Sequence, residues 1–186
     1  MSDENVPAEV LARYAAYVGG SAAPFGSGLI NRTFLVEHAG NRAILQKLHK
    51  IFAPAVNEDL DAVTAHLAKK GLVTPRLIRT DDGAVCVSVG GDDAEGAAHW
   101  RMISLVDGHS VDKLASPEQA RAAGALVARF HAAVEDLGHS YKHVREGVHD
   151  TKRHLVKLAR ALAKHRNHRL GKQAGSIGVE ILDAGA

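Results

Sequence analysis

A glycine-rich turn is the first part of this sequence whose residue types suit a chemical task. Residues 25–33 read FGSGLINRT. Glycines lack a Cβ, so backbone N–H groups in such a turn can approach a phosphate chain closely. A strand rather than a helix is predicted to follow, so the turn is neither a Walker A loop nor a dinucleotide fingerprint. Taken alone, a Gly-Ser-Gly turn between two strands is usually only a turn.

A lysine and a glutamate downstream of the turn make a phosphate ligand the stronger interpretation. Lys47 lies in the strand predicted to pair with the one that leaves the turn, and an ammonium group there can reach nucleotide phosphates. Glu58 lies near the start of the next helix and is expected to orient Lys47. Each residue also has a plain alternative, Lys47 as a solvated edge residue and Glu58 as one of several first-turn acids. The ordered set favours nucleotide handling.

The elements that must position these residues follow from the hydrophobic pattern. Two β-prone runs, 33–38 and 42–48, flank a Gly-Asn turn and predict a hairpin. Helical spacing predicts a helix over 54–70 that ends at Gly71. The remaining predicted elements of this part are a helix over 7–17 and strands over 75–80, 84–89 and 100–106.

Beyond residue 106 only helices are predicted. Ser116 is an N-cap followed by proline and then by Gln119 at the capping-box position. A second helix, over about 151–169, places Leu155, Leu158 and Leu162 on one face. The expected fold class is therefore α+β, a small antiparallel sheet with one long helix followed by a helical section. The predicted domains are 1–106, 107–170 and a tail, 171–186, with no clear role.

The ordered set resembles the N-lobe of the protein-kinase-like fold found in aminoglycoside phosphotransferases, homoserine kinases and choline kinases. Within that superfamily it is most similar to the N-acetylhexosamine 1-kinase branch. The similarity rests on the segments GSGLINRT (26–33), ILQKL (44–48) and VTAHL (63–67), together with Phe130-His131 and His149-Asp150-Thr151. It covers roughly residues 15 to 165. The chain would then be an N-lobe followed by the first helices of a shortened C-lobe.

The resemblance implies a role for each candidate residue. The loop would cover the phosphates of ATP, Lys47 would contact the α- and β-phosphates, and Glu58 would orient Lys47. The strand that ends near Ser104, Leu105 and Val106 would offer backbone groups to the adenine edge. Asn31 either touches the ligand or shapes the turn. The implied nucleotide-binding residues are Gly26, Ser27, Gly28, Asn31, Thr33, Lys47, Glu58, Ser104 and Val106.

A catalytic loop of the expected kind is missing. Kinases of this superfamily carry a His-Gly-Asp-type loop with a downstream Asn, and then an Asp that holds Mg²⁺. The run from His109 to Asp112 has the wrong spacing, and His149-Asp150 has no Asn at the expected distance in a loop. We therefore expect no catalytic residue and no Mg²⁺ ligand in this chain, which would be a truncated form with negligible activity. His131 and His149 are expected to be structural.

Composition limits the other functions. Cys86 is the single cysteine, so an intrachain disulfide is excluded, and no apolar run approaches the roughly 20 residues that span a bilayer. A cytoplasmic protein is expected, and the resemblance implies ATP and a small hydroxylated molecule as partners. Exposed apolar helix faces would favour self-association. Two alternatives remain: a non-catalytic module that binds a nucleotide or a protein partner, and a nucleic-acid binder that uses the basic stretch 142–172, which lacks interleaved aromatic residues.

Overall fold

A computed structural model of the protein describes residues 5–26, 28–90, 96–108, 111 and 113–185. The chain divides into two compact units, 1–143 and 144–186. The first unit contains the sheet and three helices, and the second contains two helices. This division differs from the predicted domains, because the helix after residue 116 belongs with the sheet.

The first unit is built on an antiparallel sheet. Its strands are β1 (Ser21–Pro24), β2 (Arg32–His38), β3 (Asn41–Lys47), β4 (Leu77–Ile78), β5 (Val87–Val89) and β6 (Ala98–Ser104). The strand order is β1-β2-β3-β6-β4, and β5 also pairs with β6. The α+β class and the hairpin are thus confirmed. The hairpin turns at Ala39 and Gly40, whose φ angles are 48° and 83°. Two left-handed residues of this kind give a turn whose twist matches that of the strands.

One face of this sheet is the hydrophobic core. Phe34, Leu45, Trp100 and Met102 lie on it and are at most 7% exposed. They are covered by α1 (Ala8–Leu11) and a 3₁₀ turn (Ala15–Tyr17), which add apolar side chains to the same cluster. We name this side of the sheet the core face.

The predicted helix over 7–17 is interrupted by a tertiary contact. Tyr14 has an extended backbone, and the Asp81 carboxylate accepts a hydrogen bond from the Ala15 N–H at 2.9 Å. The Asp81 N–H in turn donates to the carbonyl of Arg13 at 3.0 Å. These contacts satisfy the backbone groups that a continuous helix would have used, so the helix ends early.

The opposite face of the sheet carries α2 (Val56–Lys69), and we name it the helix face. As the sequence predicts, α2 ends at a left-handed glycine, Gly71. The third helix, α3 (Pro117–Val134), begins at the predicted cap, where the Ser116 hydroxyl accepts from the Gln119 N–H at 3.2 Å.

The second unit is a pair of helices. They are α4 (Thr151–Lys164), capped by the Asp150 carboxylate, and α5 (Gly171–Ala184). Residues 171–186, predicted to be a tail, thus contribute a helix. The two helices pack closely: a Cβ added to Gly178 would collide with the Leu162 side chain. Leu155, Leu158 and Leu162, expected to be exposed, are half-buried within this unit. No helix among the described residues is long and apolar enough to cross a membrane.

Candidate functional site

The glycine-rich turn joins β1 to β2 and lies at one end of the sheet. Gly26 has φ 75°, which only glycine adopts easily, and the Phe25 N–H donates to the Thr33 carbonyl at 2.9 Å. Asn31 fixes the turn to the chain after β3, because its side-chain oxygen accepts from the His49 N–H at 3.0 Å. Ser27 lies outside the described residues. The geometry therefore gives Asn31 a contact that shapes the turn.

Lys47 lies on the core face. It is directly opposite Trp100 in the sheet, and its Nζ is 5.8 Å from the centre of the Trp100 ring. Glu58 belongs to α2, which lies on the helix face, and its side chain is exposed. The structure therefore does not bring these two predicted residues together. The reason is the strand period of two, which points neighbouring side chains to opposite faces.

Gln46 and Asn57, the residues directly before Lys47 and Glu58, lie between the sheet and α2, where Lys47 and Glu58 were expected to meet. Gln46 lies on the helix face of β3, and Asn57 on α2 is fully buried against the sheet. Between them lies Arg101 of β6. Its Nε donates to Gln46 Oε1 at 2.9 Å and its Nη1 donates to Asn57 Oδ1 at 3.3 Å. The sequence analysis did not identify these three residues. The signal available was the alternation of β3, which places Gln46 on the face opposite to Leu45 and Lys47.

These side chains form a polar row across the sheet. Thr33 of β2 pairs with Gln46 of β3, which pairs with Arg101 of β6. The amide of Gln46 also donates to Thr33 Oγ1 at 3.3 Å. Thr33 directly follows the glycine turn in sequence, so the row lies at the end of the sheet where the turn is. We name these three residues the polar row.

An apolar row lies next to it on the same face. Leu35 pairs with Ile44, and Ile44 pairs with Ile103. Ile44 and Ile103 are 7% and 9% exposed, and Leu35 is half-buried. We name these residues the apolar row. Apolar side chains beside a cation suit a ligand that has an aromatic base and an anionic tail.

The electrostatics of the polar row are unusual. Burial lowers the pKa of the Arg101 guanidinium, because removal of water penalises its charged form. It nevertheless stays charged at neutral pH, since arginine keeps its proton in proteins. The row is therefore a fixed positive charge on the helix face.

The predicted hinge is only partly available to a ligand. The Ser104 N–H donates to the Arg76 carbonyl at 2.8 Å, and the Ser104 hydroxyl accepts from the Arg76 N–H. Both groups are thus used within the protein. Val106 follows β6 and is 42% exposed, and none of the described residues forms a hydrogen bond with its backbone.

The segment after α3 is held against α2 by a buried carboxylate. Asp59 accepts hydrogen bonds from the N–H groups of Lys142 and His143 and from the His139 ring, at 2.8 to 2.9 Å. Burial alone would raise its pKa, but these three donors lower the pKa below the usual value. The Asp59 carboxylate therefore holds this segment to α2.

The other candidate residues of the sequence form no second centre in the part of the chain that the structure describes. His109, Ser110 and Asp112 lie outside the described residues, and Asp150 caps α4. Among the described residues, no group of three or more His, Cys, Asp or Glu could hold a metal ion. A groove of about 630 Å³ lies between residues 70–74 and α3, away from the polar row, and its lining is mostly apolar.

Comparison with known proteins agrees with a kinase-like arrangement. The model of the "Phosphotransferase enzyme family" matches residues 21–178. Among solved structures, a microcompartment-associated aminopropanol kinase matches with a TM-score of 0.57 and 18% identity, over 89% of this chain and 57% of that one. An amicoumacin kinase solved in complex with AMP-PNP, Ca2+ and Ami matches with a TM-score of 0.56 and 15% identity, over 79% and 48%. The chain thus spans about half the length of these two kinases.

Proposed function

Because the chain belongs to the phosphotransferase enzyme family, we propose that it forms the nucleotide-binding part of an ATP-dependent kinase that phosphorylates a hydroxyl group of a small molecule. The observation that carries the proposal is the pair of rows on the helix face. A polar row with a partly buried cation lies at the end of the sheet where the glycine turn is, and an apolar row lies beside it.

Each part of the nucleotide has a counterpart on this face. The apolar row suits the adenine, and the backbone of Val106, which has no hydrogen-bond partner among the described residues, suits its edge. The N–H groups of the turn that begins at Gly26 suit the phosphates. ATP enters such sites as its magnesium complex, in which the metal neutralises phosphate charge. These residues bind and orient the nucleotide, and phosphoryl transfer depends on such positioning.

The acceptor is proposed from sequence motifs. The segments 26–33 and 44–48 resemble the N-acetylhexosamine 1-kinase branch, so we propose a sugar of that class. The chain spans about half the length of the two kinases compared above. We therefore assign transfer to a whole kinase and expect this 186-residue chain to bind nucleotide with negligible turnover. A cytoplasmic location, where ATP is available, is part of the same proposal.

Two measurements test the proposal. AMP-PNP with Mg²⁺ should raise the melting temperature of the chain, because a ligand that binds only the folded state stabilises it. A coupled assay should detect no ADP release above background with N-acetylhexosamines, homoserine or choline. No stabilisation at millimolar nucleotide would contradict the binding function, and turnover with any acceptor would contradict the expected inactivity.

A second candidate is a kinase-like module that binds a nucleotide or a protein partner without chemistry. The observation that favours this second candidate is that residues 1–186 contain no His-Gly-Asp-type loop with a downstream Asn. The two candidates differ in one experiment. Reading the gene beyond Ala186 separates them, because a His-Gly-Asp-type loop with a downstream Asn is expected there if the protein is a kinase and is not expected if it is a binding module.

A further inference from the structure

Arg101 is a partly buried cation that has only neutral partners among the described residues. Its guanidinium donates hydrogen bonds to the side-chain amide oxygens of Gln46 and Asn57. No carboxylate of the described residues lies within ion-pair distance of its guanidinium. Burying a charge is costly unless an opposite charge or several hydrogen bonds compensate it. The described residues therefore supply no anion to Arg101.

The acids nearest in sequence to Asn57 do not pair with Arg101. The Asp59 carboxylate accepts three hydrogen bonds from the segment after α3. Asp61 pairs with Arg79, and Glu58 is exposed to solvent. None of these three carboxylates supplies the missing negative charge.

The free donors of Arg101 are oriented by its neighbours. A guanidinium has five N–H groups, and the hydrogen bonds to Gln46 and Asn57 use two of them. The amide nitrogens of Gln46 and Asn57 donate to Thr33 Oγ1 and to the Pro54 carbonyl, so both amides present their oxygens to Arg101. The remaining N–H groups form a planar fork, which matches phosphate oxygens in geometry and charge.

We propose that Arg101, oriented by Gln46 and Asn57, is the cation that contacts the phosphates of the bound nucleotide, in the role first expected of Lys47. The inference rests on the proposed function, because it names the phosphate contact of that same site. Its position supports it, since Arg101 lies in the row that begins at Thr33, directly after the glycine turn, and next to the apolar row. Gln46 and Asn57 act through Arg101 and are positioning residues.

The test compares one substitution at three cations. Arg101→Met removes the charge of the polar row, and Lys47→Met removes a charge from the core face. Arg42→Met removes a charge from the far end of the helix face, where Arg42 pairs with Glu37. Calorimetric titrations with AMP-PNP plus Mg²⁺ and with adenosine measure binding with and without phosphates. We expect Arg101→Met to weaken AMP-PNP binding by roughly tenfold or more, since a hydrogen bond to a charged group is lost, and to leave adenosine binding within roughly twofold.

The other variants separate the possible outcomes. Lys47→Met and Arg42→Met should change both affinities by less than roughly twofold. If Lys47→Met weakens AMP-PNP and Arg101→Met does not, the inference is overturned while the proposed function stands. If the unmodified chain binds neither AMP-PNP nor adenosine, the proposed function itself fails.

Gln46→Glu keeps the test decisive where Arg101→Met does not fold. A glutamate at position 46 gives Arg101 a carboxylate, which no other described residue supplies, and adds a negative charge where phosphate is expected. The variant should therefore fold and melt no lower than the parent, bind AMP-PNP more weakly by roughly tenfold, and bind adenosine as before. Unchanged AMP-PNP affinity in a folded Gln46→Glu protein would overturn the inference.

Discussion

The two faces of the central sheet are made by the same strands and differ in what they contact. On the core face, Leu45, Trp100 and Met102 pack against the N-terminal segment and are almost completely buried. On the helix face, Arg101 donates hydrogen bonds to Gln46 and to Asn57 of α2. Adjacent residues of β3 and β6 therefore serve different purposes. The core face maintains the fold, and the helix face holds the groups suited to a ligand.

Because side chains alternate along a strand, a shift of one residue moves a side chain from one face of the sheet to the other and changes what it can contact. Lys47 has the residue type expected for a phosphate contact, yet its ammonium group lies beside the Trp100 ring. Gln46 is uncharged, yet on the helix face it accepts a hydrogen bond from the Arg101 guanidinium and orients it. Substitutions of neighbouring residues should therefore separate stability from binding.

The largest expected effect is on the core face. Trp100→Ala should lower the free energy of unfolding by about 3–5 kcal/mol, because Trp100 is 1% exposed and its removal leaves a cavity. Urea denaturation followed by circular dichroism measures this. Trp100→Phe is the matched control, since it keeps a ring and removes an indole N–H that has no hydrogen-bond partner among the described residues. An equal loss in both variants would show that packing is not the cause.

The next effect concerns the contact that holds the segment after α3 to α2. Asp59→Asn should cost about 1–3 kcal/mol at neutral pH, because a buried carboxylate that accepts three hydrogen bonds is replaced by an amide. The folded-state pKa of Asp59 is lowered, so its contribution is present above the unfolded-state pKa and is lost as the pH falls through the folded-state pKa.

The pH dependence gives this prediction its control. In urea midpoints measured from pH 7 down to about pH 3, the parent should lose stability more steeply than Asp59→Asn below the unfolded-state pKa, so the gap between the two curves should narrow toward acid pH. Parallel curves over that range would show that Asp59 does not titrate with folding.

A smaller effect separates the two faces directly. Ile44→Val in the apolar row should cost about 0.5–1.5 kcal/mol of stability and should weaken adenosine binding by roughly fourfold, as expected for one lost methylene contact. Met102→Leu on the core face keeps the volume, should cost less than about 1.5 kcal/mol and should leave adenosine affinity unchanged. Calorimetry with adenosine measures both variants. Equal losses of affinity would place the base elsewhere.

The smallest effect belongs to the hairpin turn, which lies on neither face. Ala39 has φ 48°, a left-handed conformation that asparagine tolerates better than alanine. Ala39→Asn should therefore raise the free energy of unfolding by about 0.5 kcal/mol, and Gly40→Ala, at φ 83°, should lower it by about 1 kcal/mol. Thermal melts of the two variants should shift in opposite directions, and nucleotide affinity should change in neither.

Several elements could be read from the sequence because their signals are local. The hairpin turn, the cap at Ser116 and the end of α2 at Gly71 each depend on a few adjacent residues. Strand β1 and helix α5 gave weak signals, since β1 has four residues and α5 contains three glycines. The break near Tyr14 was not readable at all, because Asp81, which causes it, is distant in the chain.

The candidate site shows the same division. The sequence by itself determined the glycine turn, the hairpin beside it and the fact that residues 46 and 47 point to opposite sides of β3, because these follow from backbone geometry within one segment. Only the tertiary structure decided which side receives α2. That choice depends on how β6 pairs with β3 and where the N-terminal segment packs, and both are contacts between residues far apart in the chain. The docking of α2 made Gln46, Asn57 and Arg101 one cluster and left Lys47 beside Trp100.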